Sequence, residues 1–232
     1  MEGSQAMTIL VEMRDIRMAF GAVKACDGVD LSIRAGEVVG LIGDNAAGKS
    51  TLMKILSGAY RADSGTVHVN GNKHSIRSVQ DARELGIEMV YQDLALADNL
   101  DVIANIYMGR EKTRGMFLNR KQMEAEAIRL LERLKIDIPN VKQLVATLSG
   151  GQRQAVAISR AMAFDARLVI LDEPTASLSP QTAEHVLKLI RTLKETGVAV
   201  ILINHRTDEV TRVADRLAVM QHGRIIKDVL HA

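Results

Sequence analysis

Val38-Val39-Gly40-Leu41-Ile42-Gly43-Asp44-Asn45-Ala46-Ala47-Gly48-Lys49-Ser50-Thr51-Leu52 is the stretch from which the fold can be read. Its first five residues form a short continuous apolar run, the pattern of a strand buried on both faces. Gly43–Ser50 then fits G-x-x-x-x-G-K-[ST], a loop whose backbone amides cradle nucleotide phosphates. Ser50–Ser57 begins a helix that turns Leu52, Ile55 and Leu56 inward. Strand, glycine loop and helix together are the context that this motif requires. The nucleotide-binding stretch is therefore expected to comprise Gly43, Asp44, Asn45, Ala46, Ala47, Gly48, Lys49, Ser50 and Thr51. Lys49 would reach the β/γ-phosphates and Ser50 would offer its hydroxyl to Mg²⁺.

Working outward, the residues before this stretch alternate as strands do, with Val29, Leu31 and Ile33 on one face and a turn at Arg34–Glu37. Thr66–Val69 reads as a strand closed by the turn dipeptide Asn70-Gly71. From about Leu94 to Val156 the pattern becomes helical, with Asn119 as the cap of a helix running to about Lys135. Strands resume at Leu168–Leu171 and Val198–Ile203, separated by a helix Pro180–Thr196 with Ser179 as its N-cap and Gly197 as its stop. Alternating strands and helices predict a mostly parallel sheet with helices on both faces. The expected architecture is an α/β phosphate-loop core with an N-terminal antiparallel β subdomain and an inserted α-helical subdomain. Its boundaries are a single domain over 8–230, with 1–92 and 157–230 as the nucleotide-binding core and 93–156 as the helical part.

Composition narrows the classes. The 232 residues are 47% hydrophobic and 25% charged, as expected of a chain with a full core. No apolar run approaches the roughly 20 residues of a membrane span, and the first residues show no export-signal pattern. The lone Cys26 has no partner for an internal disulfide, which suits a reducing compartment. A net charge of +2, with three tyrosines, three phenylalanines and no tryptophan, argues against nucleic acid as a partner.

Two further elements carry chemistry. The strand Leu168–Leu171 delivers Asp172 and Glu173 at its C-terminal end, where ligands of open α/β sheets sit. Asp172 is placed to hold Mg²⁺, and Glu173 to orient or deprotonate a water attacking the γ-phosphate. Leu148-Ser149-Gly150-Gly151-Gln152 opens the helix Gln152–Ala163 and forms a second backbone anion site. Two such helix starts could serve one nucleotide or two.

A phosphate loop, this second glycine-serine element about a hundred residues later, and an Asp-Glu strand end together resemble the ATP-binding cassette family, the ATPase subunits of ABC transporters. The match runs from about Val11 to Asp228 with the motifs in the family's order. The resemblance implies that two cassettes pack head to tail, so that Leu148–Gln152 of one closes on ATP held by the other. It also implies a glutamine loop at Gln92 that senses Mg²⁺ and the attacking water, and a γ-phosphate contact at His205. An aromatic contact with adenine falls at Phe20. The implied ligands are ATP and Mg²⁺, with Ser50, Gln92 and Asp172 toward the metal and Lys49, Gln92, Glu173 and His205 toward catalysis. Two positions depart from the family pattern: Ala46 replaces a common glycine, and Ser179 a common aspartate.

The stretches Gly43–Gly58, Gly86–Leu94 and Asn105–Glu111 look like those of bacterial monosaccharide importers. The resemblance then implies a separate transmembrane permease, an exported sugar-binding protein acting through it, and a second cassette, as a homodimer or beside another ATPase. It places the chain at the cytoplasmic face of the membrane, with the permease docking near the Gln92 loop. Amino-acid, lipid or drug transport, and a non-transport ATPase of the same family, stay open as alternatives.

Overall fold

The computed structural model describes residues 8–230. Residues 1–7, which hold the beginning of the expected core segment 1–92 and of the stretch read for an export signal, lie outside the described residues, as do 231–232.

Among the described residues twelve strands and seven α-helices follow one another in the order that the alternating pattern implies. β1 (Ile9–Phe20), β2 (Val23–Arg34), β4 (Ser64–Val69) and β5 (Asn72–His74) form an antiparallel sheet in the order β2-β1-β4-β5. Asn70 and Gly71 both take positive φ between β4 and β5, the geometry of a tight hairpin turn. The second sheet holds β3 (Val38–Ile42), β6 (Ile87–Val90), β9 (Leu168–Asp172), β10 (Ala199–Ile203), β11 (Arg216–Gln221) and β12 (Arg224–Leu230). Its order is β12-β11-β3-β10-β9-β6, parallel throughout except for the edge hairpin β11–β12.

β10 shows why this sheet is central. Ala199, Ile201 and Ile203 pack into one apolar cluster, whereas Val200 and Leu202 pack into the other. Successive side chains of a strand point to opposite faces, so a wholly apolar strand must be covered on both. The antiparallel sheet and α1 (Lys49–Leu56) cover one face through Val11, Met13, Ile33, Leu52 and Leu56. The other face is covered by α3 (Val102–Tyr107), α4 (Arg120–Arg133), α5 (Gly150–Met162) and α6 (Pro180–Glu195). The remaining helices are α2 (Val79–Glu84) and α7 (Thr207–Thr211).

The helix ends follow local chemistry. Asn119 Oδ1 accepts from the Gln122 amide, and Ser179 Oγ accepts from the Thr182 amide. Both caps satisfy a first-turn donor that the helix cannot. Gly197, at φ 85°, lets the chain leave α6 and enter β10. The segment read as helical also holds a two-stranded hairpin, β7 (Thr113–Arg114) and β8 (Phe117–Leu118), between α3 and α4. Its tip exposes Met116 (93%) and Phe117 (77%). No helix among the described residues is long and apolar enough to cross a membrane.

Candidate active site

Because β3, β10, β9 and β6 are parallel, their C-terminal ends share one edge of the sheet. Strand order sets the sequence of groups along that edge. The phosphate loop leaves β3; His205 follows β10; Asp172 ends β9 and Glu173 follows it; Gln92 lies two residues past β6. Register brings them level, since Leu41 pairs with Ile203, Ile203 with Asp172, and Leu171 with Val90. Clefts beyond the carboxyl ends of such strands are where α/β sheets bind ligands.

The loop is shaped by its surroundings. Gly48 sits at φ 105°, and a Cβ there would lie 2.1 Å from the Ala25 carbonyl oxygen, so only glycine fits. The Gly223 amide, in the β11–β12 turn, donates to the Ala47 carbonyl at 3.0 Å and pins the loop from below. Gly48 is the N-cap of α1 and no side chain caps that helix. Its first amides and the positive end of its dipole therefore face outward for an anion. Ala46 takes φ 63°, a left-handed conformation that costs a non-glycine residue on the order of 1 kcal/mol. Lys49 is buried, and its ammonium donates to the carbonyls of Gly43 (2.7 Å) and Asp44 (2.8 Å). Burial lowers its pKa, and the charges of Glu173, Asp172 and Asp44 partly offset that. Ser50 and Thr51 occupy the first turn of α1, with Ser50 exposed; Asp44, Asn45 and Ala46 are exposed as well.

Asp172 is partly buried. Burial first, and then the neighbouring Glu173 charge, raise its pKa above the ordinary carboxylate value. Glu173 is held in a left-handed turn at φ 51°, and its amide extends the β9–β10 ladder by donating to the Ile203 carbonyl at 2.9 Å. Non-glycine residues in that region carry strain of about 1–3 kcal/mol, which surrounding structure must hold in place. The Glu173 carboxylate meets His205 Nε2 at 2.6 Å, so the structure joins two residues 32 positions apart that stand alone in the sequence. Gln92 is exposed, two residues past β6, the strand that neighbours β9. Among the described residues no three His, Cys, Asp or Glu side chains converge as a metal cage. Ser50, Asp172 and Gln92 nonetheless offer hard oxygen donors, and Mg²⁺ commonly takes one or two carboxylates and completes its shell with phosphate and water.

Phe20, 48% exposed at the end of β1, stands edge-on to Tyr60 with ring centroids 5.7 Å apart. Lys54 of α1 lies over the Tyr60 ring, so the aromatic pair is anchored to the helix that begins at the phosphate loop. Tyr60 was not singled out in the sequence, because only tertiary packing pairs it with Phe20.

The second helix start is built differently. Ser149 and Gly150 are exposed, whereas Leu148 is buried beneath them. The Gln152 amide donates to Ser149 Oγ (3.3 Å) and the Ser149 amide to Gln152 Oε1 (3.1 Å), a reciprocal capping box. A Cβ on Gly151 would meet the Thr182 methyl at 2.4 Å, so glycine lets α5 approach α6. Among the described residues no hydrogen bond joins the two helix starts.

Arg110, in a stretch that resembles sugar importers, bonds the buried Glu88 at 2.6 Å and stacks over the Phe164 ring at 3.7 Å. It is part of the packing between the core and the helical segment.

The family model described as ABC transporter matches residues 26–176. The xylose/arabinose import ATP-binding protein XylG of Sulfolobus acidocaldarius is 50% identical over 95% of this chain and 88% of that protein. A ribose import ATP-binding protein RbsA of Rubrobacter xylanophilus is 44% identical over 95% of this chain, which spans only 44% of that protein's length. Among solved structures, a nucleotide-free ATP-binding cassette from an ABC transporter superposes with a TM-score of 0.87 at 28% identity, over 97% of this chain and 92% of that one. The ADP conformation of MJ1267, an ATP-binding cassette of an ABC transporter, gives 0.86 at 29% identity, over 96% and 91%.

Proposed function

Because this chain belongs to the ABC transporter family and has the fold of its ATPase cassettes, we propose that it hydrolyses Mg-ATP to drive import of a monosaccharide through a separate permease. The observation that carries the catalytic part is the single sheet edge along which Lys49, His205, Asp172-Glu173 and Gln92 stand in order, with Glu173 and His205 in contact at 2.6 Å. The sugar part rests on two relatives named for xylose, arabinose or ribose import, one of them matched over most of its length.

In this reading the Gly43–Thr51 amides hold the phosphates of ATP, and Phe20 and Tyr60 offer a surface to adenine. Lys49 exchanges the Gly43 and Asp44 carbonyls for the β/γ-phosphate oxygens, a move of one flexible side chain. Mg²⁺, held by Ser50, Asp172 and Gln92, would neutralise charge on the transferred phosphoryl group. Glu173 orients water for in-line attack, and His205 turns toward the γ-phosphate. The protein contributes positioning and charge more than covalent chemistry.

The Leu148–Gln152 element completes the site of a second cassette, taken as another copy of this chain. Residues 93–156 act as the helical part that meets the permease at the cytoplasmic face, with an exported sugar-binding protein on the other side. The exposed Met116–Phe117 hairpin tip is an apolar patch of the kind that marks an interaction surface.

Phosphate release from Mg-ATP, with and without EDTA, tests the core of this. Lys49→Ala removes the loop's only cation and should lower turnover at least about 100-fold, comparable to losing one strong transition-state contact. Undiminished turnover would show that hydrolysis occurs elsewhere. Uptake of labelled xylose, arabinose and ribose by cells carrying the chain with its permease, against the same variant, tests the sugar; uptake unaffected by Lys49→Ala would reject it.

A further inference from the structure

Three buried polar side chains join the two loops that carry Glu173 and His205. Thr175 lies two residues past Glu173, Asn204 immediately before His205, and Glu209 in α7; all three are buried polar residues. The Thr175 hydroxyl donates to Glu209 Oε2 at 2.5 Å. The Asn204 amide nitrogen donates to Thr175 Oγ1 at 2.7 Å and to Glu209 Oε2 at 2.9 Å. Asn204 Oδ1 accepts from the Arg206 amide at 3.1 Å, and the Arg206 guanidinium meets Glu209 Oε1 at 2.6 Å.

We propose that Thr175, Asn204 and Glu209 form a positioning network that sets the Glu173–His205 contact, and hence turnover, without touching nucleotide. The inference rests on the roles proposed above for Glu173 and His205. Two physical points carry it. First, the His205 side chain is 47% exposed, so packing does not fix its ring; its direction is inherited from the backbone at 204–206, which this network clamps on both sides. Second, the network crosses between the two loops that present the reacting pair, because Thr175 belongs to one and Asn204 to the other. A buried network with every member satisfied is stiff, and the loss of one member leaves its partners unpaired at low dielectric. A group set by such outer contacts loses rate before it loses substrate binding.

Thr175→Val keeps the shape and deletes the hydroxyl, so it should lower kcat about tenfold while KM for ATP stays within about twofold. Thr175→Ser, which restores the hydroxyl, should recover kcat to within about twofold. The nitrogen-15 resonances of the His205 ring, identified by their loss in His205→Gln, should shift in nucleotide-free Thr175→Val and return in Thr175→Ser. A purely structural role would move the melting temperature but neither the ring resonances nor the split between kcat and KM. Should Thr175→Val not fold, Glu209→Gln serves instead: it keeps an oxygen for Thr175 and Asn204 but presents an amide N–H to Arg206, and kcat should fall three- to tenfold at constant KM. A folded variant with wild-type kcat and an unmoved His205 resonance overturns the network's role. Wild-type turnover in both Glu173→Gln and His205→Ala would instead bring down the reading on which it rests.

Discussion

The two glycine-containing helix starts use the same physics to opposite ends. At α1 no side chain competes for the first amides, Gly48 is wedged against the Ala25 carbonyl, and the buried Lys49 supplies charge. At α5 the serine takes the third amide for its own cap, Ser149 and Gly150 face solvent, and the nearby Arg153 is paired with Asp98 at 2.6 Å. In the function proposed above, the first is an anion cradle complete within one chain, whereas the second, which offers two glycine amides and a hydroxyl but no cation, is half a site. Such a half-site has use only against a ligand that is already held elsewhere, which is what a second cassette would provide.

The largest effect expected from breaking this contrast is on the α1 side. Asp172→Asn should lower phosphate release at least about 100-fold, from loss of the charge proposed to hold Mg²⁺. The same change should raise the melting temperature of the nucleotide-free protein near pH 7.5, because asparagine carries no charge to bury there. The sign follows from linkage: Asp172 has a folded pKa raised by burial and by Glu173. Its contribution to stability is therefore fully present below the unfolded value, about pH 4, and lost as pH rises through the folded value. The advantage of asparagine should accordingly vanish on acidification toward pH 4. A thermal melt series at several pH values reads this, and an advantage that grows on acidification would contradict it.

On the α5 side the effect should be smaller and divided. Ser149→Ala removes the cap and should cost about 1 kcal/mol, or 2–4 °C, while the Kd for ATP of the isolated chain stays within about twofold. A weakened Kd would mean that the two helix starts share one nucleotide within the chain.

Ala46→Gly is the smallest. The left-handed φ is already present without nucleotide, so relief of strain should appear mainly as stability, about 2 °C, and not as tighter binding. Calorimetric ATP titration should show less than a threefold change. A tenfold gain would show that the loop moves further into the left-handed region on binding.

Much of this architecture was legible because local chemistry and tertiary structure agree. Val38–Ile42 and Val198–Ile203 read as doubly buried strands and feed both cores. Asn119, Ser179 and Gly197 mark helix ends in the folded chain as they do in the sequence. The β7–β8 hairpin was not legible: its strands have two residues each, and Met116-Phe117-Leu118 is an apolar run that remains exposed, against the usual inference from hydrophobicity. The β11–β12 hairpin and the start of α5 at Gly150, before its first strongly helix-forming residue, were also beyond periodicity. At the site, the sequence supplied the phosphate loop and the Asp-Glu strand end from spacing alone, whereas Gln92, His205 and Phe20 came only from family resemblance. Thr175, Asn204 and Glu209 gave no signal, since each reads singly as a turn or helix residue and Thr175 meets the other two only across separations of 29 and 34 positions.

The most direct test of the half-site account is the size-exclusion profile of Glu173→Gln with ATP and Mg²⁺. Glutamine keeps the shape and removes the base, so bound ATP should persist and the chain should elute as a dimer. Adding Ser149→Arg places a bulky side chain at the mouth of the α5 start and should return the profile to monomer, with ATP binding by the single chain intact. A dimer that survives Ser149→Arg, or a Glu173→Gln protein that binds ATP yet remains a monomer throughout, would contradict the claim that one chain's α5 closes on the nucleotide of another.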